Sequence, residues 1–313
     1  MRVIEAEGLR KEFSDEIVAV AGIDLAVEQG EVFAFLGPNG AGKTTTVRML
    51  TTLLRPTSGN ARVAGYDVYR EQHQIRRSIG VALQEAGLDG LATARELLEL
   101  QAKLFGMDSP TAKRRASEML DVVGLVDAAE RQVKTFSGGM KRRLDLASAL
   151  VHEPLILFLD EPTEGLDPAS RAAVWQEVQR LNSQSDMTVF LTTHLMEEAE
   201  RLCDRVGIID QGQIRAEGTR RELVSLIGQR DRVDLAATGP LVAVADALRA
   251  MPGVNEATAH EGGIGLLVDE ARTILPRLLE SAAATGASVN GVEIVEPDLE
   301  AVFLHLTGRA LRD

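Results

Sequence analysis

The feature that most constrains this chain is the stretch GPNGAGKT at Gly37–Thr44, which matches the pattern G-x-x-x-x-G-K-[ST] at every specified position. The apolar run Val32–Leu36 precedes it and predicts a buried strand, while Thr44–Leu54 follows with the pattern of a helix. Glycines in such a loop let several backbone N–H groups converge on phosphate, and the start of the helix adds its positive dipole end. The stretch therefore predicts a nucleoside triphosphate site between a strand and a helix.

The side chains of this phosphate loop have distinct expected roles. We expect the Lys43 ammonium to lie at the β- and γ-phosphate oxygens and the Thr44 hydroxyl to be a ligand of Mg²⁺. The expected ligands of the site are thus ATP and Mg²⁺. The other predicted nucleotide contacts of this segment are Gly37, Pro38, Asn39, Gly40, Ala41, Gly42 and Thr45.

Two adjacent acids, Asp160 and Glu161, follow a second apolar run that predicts a strand over Leu155–Asp160. Adjacent residues at a strand end point in different directions. Asp160 can therefore hold Mg²⁺ through water while Glu161 faces the γ-phosphate and an attacking water. Two acids at a strand end would ordinarily be solvated, but beside a phosphate loop they predict a metal ligand and a catalytic base.

Alternating strand and helix patterns predict the wider architecture. Strand patterns recur at Leu155–Asp160, Thr188–Thr193 and Arg205–Asp210, with a helix pattern over Ala169–Asn182 between the first two. Buried strands that alternate with helices imply a parallel sheet with helices on its faces, hence an α/β fold. Hairpin patterns in the first third predict an antiparallel β subdomain, and an all-helical subdomain is expected over about residues 86–152.

A domain boundary is expected near Ser225–Arg232, which divides the chain into residues 1–226 and 227–313. The second part has the pattern strand, helix, strand, strand, helix, strand, with a last helix over Leu299–Leu306. That βαββαβ order predicts a small α+β domain of the ferredoxin-like type.

Composition limits the function classes. The net charge of −13 argues against nucleic acid as a partner, because phosphate contacts need clustered Lys and Arg. The basic run KRRL at Lys141–Leu144 is interpreted as a solvated helix face. The only cysteine, Cys203, cannot form an internal disulfide and indicates a reducing compartment, where a small buried side chain is its expected role. We find no signal peptide pattern and no apolar run of membrane-spanning length, so a membrane role would need another chain.

The stretch FSGGM at Phe136–Met140 opens a predicted helix with Ser137 as its cap and with Gly138 and Gly139 leaving the helix start bare. Such a stretch alone predicts only a capped helix. Lying between the phosphate loop and LDEP, however, it resembles the signature LSGGQ of the ATP-binding cassette (ABC) ATPases. The resemblance implies a P-loop NTPase fold and a head-to-tail pair of cassettes. In that pair, Ser137, Gly138 and Gly139 of one chain face the γ-phosphate held by the other.

Further residues acquire roles from this resemblance. Gln84, in GVALQEAG, matches the glutamine loop that senses Mg²⁺ and water, which makes Gln84 a third expected Mg²⁺ ligand. His194, in FLTTHL, matches the switch histidine that contacts the γ-phosphate and supports Glu161. Asp167, in EGLD, matches the dimer-contacting loop. Phe13 stands where an aromatic ring stacks on adenine, although a core phenylalanine is an equal alternative.

Three positions depart from the family pattern. Phe136 replaces Leu and Met140 replaces Gln in the signature, and Glu164 replaces the small residue that usually precedes GLD. Loss of the glutamine removes a polar contact near the opposite nucleotide. The residues expected to hold phosphate and activate water are all present, so hydrolysis is expected to survive.

The stretches SGGMKRRLDLASAL and PDLEAVFLHLTGR resemble, more narrowly, the drug exporters related to daunorubicin/doxorubicin resistance ATP-binding subunits. This implies an ATP-hydrolysing subunit on the cytoplasmic side of the cell membrane. It would energise efflux of a drug-like or amphipathic molecule through a separate multi-spanning permease, paired with a second cassette, identical or related.

The alternatives are a soluble ABC ATPase of chromosomes or ribosomes, and an importer cassette. Only about ninety residues separate Lys43 from Ser137, without extended heptads, which disfavours the chromosomal class. The chain carries one cassette, whereas the ribosomal class carries two. The cargo and the role of the C-terminal domain stay open at this point.

Overall fold

The computed structural model describes residues 1–14, 17–84, 87–227, 230–295 and 298–308. Its strands are β1 (Arg2–Ser14), β2 (Ile17–Glu28), β3 (Val32–Leu36), β4 (Ser58–Val63), β5 (Tyr66–Asp67), β6 (Ile79–Ala82), β7 (Ile156–Asp160), β8 (Thr188–Thr193), β9 (Arg205–Asp210), β10 (Gln213–Gly218), β11 (Asp231–Thr238), β12 (Val254–His260), β13 (Gly263–Val268) and β14 (Ser288–Val295). Its α-helices are α1 (Lys43–Leu50), α2 (Gln72–Ser78), α3 (Ala94–Leu104), α4 (Ser109–Val122), α5 (Gly138–Leu150), α6 (Pro168–Ser185), α7 (Met196–Leu202), α8 (Arg220–Leu226), α9 (Leu241–Arg249), α10 (Ala271–Ala284) and α11 (Leu299–Thr307). No helix in these described ranges is long and apolar enough to cross a membrane.

A six-stranded sheet of order β10-β9-β3-β8-β7-β6 carries the predicted nucleotide residues. Its neighbouring strands are parallel except for β10, which is antiparallel to β9. Every residue of β3, β7 and β8 is buried, as continuous apolar runs in a parallel sheet require. Because parallel strands end at one edge, Leu36, Asp160 and Thr193 bring the residues that follow them together. The predicted α/β architecture with a parallel sheet is confirmed.

A second sheet of order β2-β1-β4-β5 is antiparallel throughout, in agreement with the predicted antiparallel region. Its strand β1 was not predicted. Charged residues alternate there with Ile4, Ala6 and Leu9, which are buried, so the strand has one solvated face. Several register shifts against β2 interrupt this alternation and obscure the period of two.

Helix α1 ends at Leu50 rather than at Leu54 as predicted. Thr52 adopts a left-handed backbone (φ 64°), which terminates the helix. The Arg76 side chain donates hydrogen bonds to the hydroxyl (2.8 Å) and the carbonyl oxygen (3.1 Å) of Thr52. This contact spans 24 residues, so the local pattern of the sequence could not reveal it.

The region between β6 and β7 is helical, as the three- and four-residue apolar spacing predicted. Helices α3, α4 and α5 pack against one another there, and short 3-10 turns at Val126–Ala128 and Val133–Thr135 lie between α4 and α5. Arg115 of α4 donates to the carbonyl oxygens of Leu150 and Val151 at the end of α5.

By internal contacts the described residues divide into one unit of Met1–Arg220 with Leu306–Gly308, and a second unit of Arg221–His305. The second unit has the predicted element order and an antiparallel sheet of order β12-β13-β11-β14, with its own apolar core. Its assignment as ferredoxin-like, and the predicted boundary at residues 226/227, stay predictions.

Candidate active site

Two glycines of the phosphate loop have a steric requirement for glycine. A Cβ atom on Gly37 would collide with the carbonyl oxygen of Ile209, which lies on the neighbouring strand β9. Gly42, the N-cap of α1, has φ 104°, and a Cβ there would lie 2.5 Å from the carbonyl oxygen of Ala19. Larger residues at either position would displace the loop from the sheet edge.

Lys43 lies inside this loop with its side chain almost fully buried. Its Nζ donates to the carbonyl oxygens of Gly37 (2.8 Å) and Pro38 (3.2 Å) and lies 3.1 Å from Oε1 of Glu161. The structure thus brings the predicted phosphate-binding cation and the predicted catalytic base into direct contact. Within the buried site each charge partly offsets the cost of burying the other.

Two of the three predicted metal ligands, Thr44 and Asp160, are also adjacent. Thr44 Oγ1 donates to Oδ1 of Asp160 at 3.0 Å, and Asp160 is only 1% exposed. Thr192 Oγ1, from β8, donates to the same carboxylate oxygen at 2.5 Å. Thr192 was not predicted, because its contact with Asp160 arises only when β7 and β8 pair in parallel.

Glu161 has an unusual backbone and a buried side chain. Its φ of 49° is left-handed, and its N–H donates to both the carbonyl oxygen and the hydroxyl of Thr192. Its Oε2 lies 3.2 Å from Nδ1 of His194, but the two groups are not aligned as a hydrogen bond. Both atoms are buried without a hydrogen-bond partner, so the pair presents unsatisfied polar atoms next to Lys43.

Ser137 and Gly138 are exposed at the start of α5. Ser137 Oγ accepts the N–H of Met140, as expected for an N-cap. A Cβ on Gly138 would meet nothing within 4 Å, so the approach to the helix start is open. A Cβ on Gly139 would lie 2.8 Å from Oγ of Ser170 on α6, so Gly139 also permits close packing of the two helices.

Comparison with known proteins identifies this arrangement. A family model described as ABC transporter matches residues 20–164. The linearmycin resistance ATP-binding protein LnrL of Bacillus subtilis is 41% identical, with 99% of this chain and 100% of that protein covered. The daunorubicin/doxorubicin resistance ATP-binding protein DrrA of Streptomyces peucetius is 42% identical over 100% of this chain and 94% of its own. This chain belongs to the ABC transporter family.

A solved dimeric ATP-binding cassette, in a post-hydrolysis state with ADP and phosphate bound, has the same fold. It is 28% identical, covers 69% of this chain and 98% of its own, and superposes with a TM-score of 0.64. The P-loop ABC fold, the ATP-binding role and the ATP hydrolase activity inferred from the motifs are confirmed.

Gln84 of this ABC cassette does not contact the predicted metal ligands. Its Nε2 donates instead to Oε2 of Glu164 at 2.6 Å, and both side chains are exposed. No hydrogen bond in the described part of the chain joins Gln84 to Thr44 or Asp160. Glu164, one of the departures from the family pattern, is therefore the residue that orients the glutamine.

Asp167 is the N-cap of α6. Its carboxylate accepts the N–H groups of Ala169 and Ser170 and the Ser170 hydroxyl (2.6 Å). The hydrogen bonds from Ser170 lower the pKa of Asp167 below its usual value, so the cap stays ionised.

Phe13 lies on β1 with 57% of its surface exposed, and the Lys11 ammonium lies 5.2 Å from the centre of its ring. This exposure contradicts the alternative in which Phe13 belongs to the core. An exposed ring remains available for stacking on a base.

Arg142 shows that one prediction was wrong. The run KRRL was interpreted as a solvated face, but Arg142 is buried and donates to the carbonyl oxygens of Leu83, Asp160 and Pro162. It also pairs with Asp145 one helical turn later. Burial lowers the pKa of Arg142 and raises the pKa of Asp145 to about 6, an effect that the arginine charge partly opposes. The sequence signal for this pair is an i, i+3 Arg–Asp pair on an otherwise apolar helix face.

Glu198 of α7 is a second buried charge that the sequence analysis missed. Its Oε1 accepts the Thr163 hydroxyl (3.0 Å) and the Trp175 indole N–H (2.9 Å). Burial raises the pKa of Glu198. These bonds hold the segment that follows Glu161 against α6 and α7.

Cys203, the C-cap residue of α7, is a free thiol. Burial raises the pKa of this thiol, in agreement with a structural rather than reactive role.

Proposed function

We propose that this chain is the ATP-hydrolysing subunit of an ABC exporter that moves a drug-like or amphipathic small molecule through a separate membrane permease. The observation that carries the proposal is the similarity to two antibiotic-resistance ATP-binding proteins over nearly the whole chain, the C-terminal unit included. The net charge of −13 also disfavours nucleic acid as a partner. A subunit of such an exporter would bind the permease at the cytoplasmic side of the membrane, and this is the expected location of the chain.

Hydrolysis requires a base, and the geometry around Glu161 supplies one. Its Oε2 and Nδ1 of His194 are buried, close together and without hydrogen-bond partners, so Oε2 can accept a hydrogen bond from water and the imidazole of His194 can donate one to a phosphate oxygen. We infer that Glu161 takes a proton from water attacking the γ-phosphate, while His194 binds the γ-phosphate and steadies Glu161. Lys43 exchanges its carbonyl contacts for the β- and γ-phosphate oxygens.

The residues at the end of β7 fit Mg²⁺. The Thr44 hydroxyl and the buried Asp160 carboxylate share a hydrogen bond, and such hard oxygen donors are those that Mg²⁺ prefers. Thr44 and Asp160 would hold the ion, and Gln84 would join them after leaving Glu164. Bound there, Mg²⁺ neutralises charge on the phosphate oxygens.

A second cassette completes the proposed site. Ser137 and Gly138 lie exposed at the start of α5, where backbone N–H groups and the helix dipole favour an anion. We infer that they bind the γ-phosphate held by a partner chain, identical or related, with Gly139 and Asp167 at the same interface and with Phe13 stacked on adenine. A head-to-tail pair gives two such sites.

The test is co-purification of tagged Glu161→Gln protein with Mg-ATP from detergent-solubilised native membranes. The substitution keeps the shape of the side chain but removes the base, so ATP should stay bound and the dimer closed. We expect a multi-spanning protein in stoichiometric amount. The matched control is Lys43→Ala with Glu161→Gln, which should recover less of it because ATP is not held.

Two results would contradict the proposal. Recovery of a soluble dimer with ribosomal or chromosomal material would point to the soluble class. Recovery of a permease with an external solute-binding protein would point to an importer. Direction is then measured in inverted vesicles, where ATP-dependent accumulation of doxorubicin supports export of amphipathic drugs, and accumulation equal to that of the Glu161→Gln vesicles opposes it.

A further inference from the structure

The side chain of Arg142 makes an unusual number of buried contacts. Its Nε donates to the carbonyl oxygen of Pro162 (2.8 Å), one terminal nitrogen donates to that of Asp160 (3.0 Å), and the other donates to that of Leu83. The nitrogen on Leu83 also lies 3.1 Å from Oδ2 of Asp145. All three nitrogens of the guanidinium are thus engaged, and the group is about nine-tenths buried.

These acceptors belong to three segments of the active site. Asp160 and Pro162 flank Glu161 on its two sides, and Leu83 directly precedes Gln84. Arg142 itself lies on α5, five residues after the helix cap Ser137. One planar group therefore joins the helix of the SGG stretch to the backbone around the catalytic base and to the backbone before the glutamine.

The backbone at Glu161 needs such support. Its φ of 49° lies in a region that residues other than glycine seldom occupy. The peptide groups on either side set the direction of its side chain toward His194. The Thr192 hydroxyl and carbonyl hold the N–H of Glu161, whereas Arg142 holds the carbonyl oxygens before and after it.

We propose that Arg142 is a positioning residue for ATP hydrolysis, which holds the carbonyl oxygens of the residues before and after Glu161, Asp160 and Pro162, and that of Leu83 before Gln84, in register with helix α5. A displacement of α5, such as engagement of Ser137 by a partner's nucleotide would cause, then reaches the base through one rigid side chain. The proposal rests on the role of Glu161 in hydrolysis and does not depend on the cargo or the permease.

The adjacent residue Arg143 provides a matched control. It lies on the same helix and also donates to backbone carbonyl oxygens, those of Val123 (2.9 Å) and Gly124 (3.5 Å). Both acceptors lie at the end of α4, within the helical region, and neither adjoins Glu161 or Gln84. Arg143 therefore has comparable bonds without the connection to the active site.

The experiment compares Arg142→Lys with Arg143→Lys in the full-length chain, by steady-state ATPase activity and by binding of a fluorescent ATP analogue. Lysine keeps the charge but cannot reproduce the planar fork that reaches three carbonyl oxygens. We expect Arg142→Lys to lower kcat at least tenfold with KM for ATP unchanged within twofold. Arg143→Lys should change neither by more than twofold.

A merely structural role predicts a different pattern. The proposal would be overturned if Arg142→Lys lowered kcat, the affinity for ATP and the midpoint of thermal unfolding together. It would also be overturned if Arg142→Lys and Arg143→Lys had the same kcat. A second variant keeps the test informative if Arg142→Lys folds poorly. Asp145→Asn removes the charge that orients Arg142, and we expect lower kcat with unchanged ATP binding. Unchanged kcat would count against the proposal.

A third comparison separates this proposal from the assignment of the base. On the Glu161→Gln background, Arg142→Lys should still bind ATP and form the trapped dimer, measured by size-exclusion chromatography. Loss of that dimer would mean that Arg142 supports nucleotide binding rather than the position of the base. Normal turnover by Glu161→Gln alone would instead refute the role of Glu161.

Discussion

Replacing Thr192 by valine isolates the contribution of one hydroxyl to the metal site. This group donates to Oδ1 of Asp160 at 2.5 Å and accepts the N–H of Glu161 at 3.1 Å. Valine has nearly the same shape, so the variant tests these bonds rather than packing. The N–H of Glu161 keeps its bond to the carbonyl oxygen of Thr192, whereas Asp160 loses one of its two hydroxyl donors.

The expected magnitude follows from the charged acceptor. A hydrogen bond to an ionised group contributes about 1.5–3 kcal/mol, and groups that orient metal ligands typically change metal affinity about 10- to 100-fold when removed. We therefore expect Thr192→Val to raise the Mg²⁺ concentration for half-maximal ATPase activity by at least about tenfold. The assay is ATPase activity titrated with free Mg²⁺ at saturating ATP, with thermal unfolding measured in parallel.

Thr188→Val is the control, because Thr188 is equally buried and begins the same strand β8. Its hydroxyl accepts the N–H of Gly30 at 2.9 Å, at the sheet edge opposite the nucleotide site. Both variants should lose stability, by about 1–3 kcal/mol. Only Thr192→Val should change the Mg²⁺ titration. Equal titration curves for the two variants would refute the reasoning that Thr192 orients Asp160.

Three further predictions concern separate parts of the chain. Phe13→Ala should raise KM for ATP about tenfold with kcat unchanged, because stacking of a base on an aromatic ring contributes about 1–3 kcal/mol. Phe13→Tyr keeps the ring and is the control. Equal KM values for the two variants would argue against stacking. Glu164→Ala should raise ATPase activity at subsaturating Mg²⁺, at most about fivefold, because the exposed hydrogen bond from Gln84 to Glu164, of about 1 kcal/mol, is lost. No rise in activity would mean that Glu164 does not hold Gln84 away from the metal site. Asp145, with its pKa raised from 3.8 to about 6, binds a proton in the folded chain before the unfolded chain does. As pH falls from about 6 to 4, the free energy of unfolding of the wild type should therefore rise relative to that of Asp145→Asn, by at most about 3 kcal/mol. Urea titrations of both proteins at pH 7.5 and pH 5 measure this difference. An equal difference at the two pH values would contradict the prediction.

The residues that could be predicted lie in short contiguous motifs. Lys43 and Thr44 follow a glycine loop, and Asp160 and Glu161 end an apolar strand, so local chemistry and strand periodicity suffice to place them. The structure brings these four together with His194, which the sequence places only at the end of another strand. The parallel sheet explains this, because neighbouring strands end at one edge.

The residues that were missed act across long separations in sequence. Thr192 lies 32 residues from its partner Asp160, and Arg142 lies 59 residues from Leu83. A threonine in a strand and an arginine in a basic run carry no local mark of such contacts. The solvated interpretation of KRRL failed because one of its three basic residues, Arg142, is buried, where three carbonyl oxygens satisfy its donors.

The unsatisfied polar atoms of the site distinguish it from the structural charge pairs of the fold. Among the described residues, four buried side-chain atoms have no hydrogen-bond partner, and two of them, Glu161 Oε2 and His194 Nδ1, lie 3.2 Å apart. Arg142, which is buried nearby, has every nitrogen bonded. Burying unbonded polar atoms costs about 1–3 kcal/mol each, a cost that persists where a ligand satisfies the atoms during function. We infer that Glu161 and His194 keep unsatisfied polar atoms because water and the γ-phosphate bind there, and that the fully bonded neighbours Arg142 and Thr192 keep these groups in position.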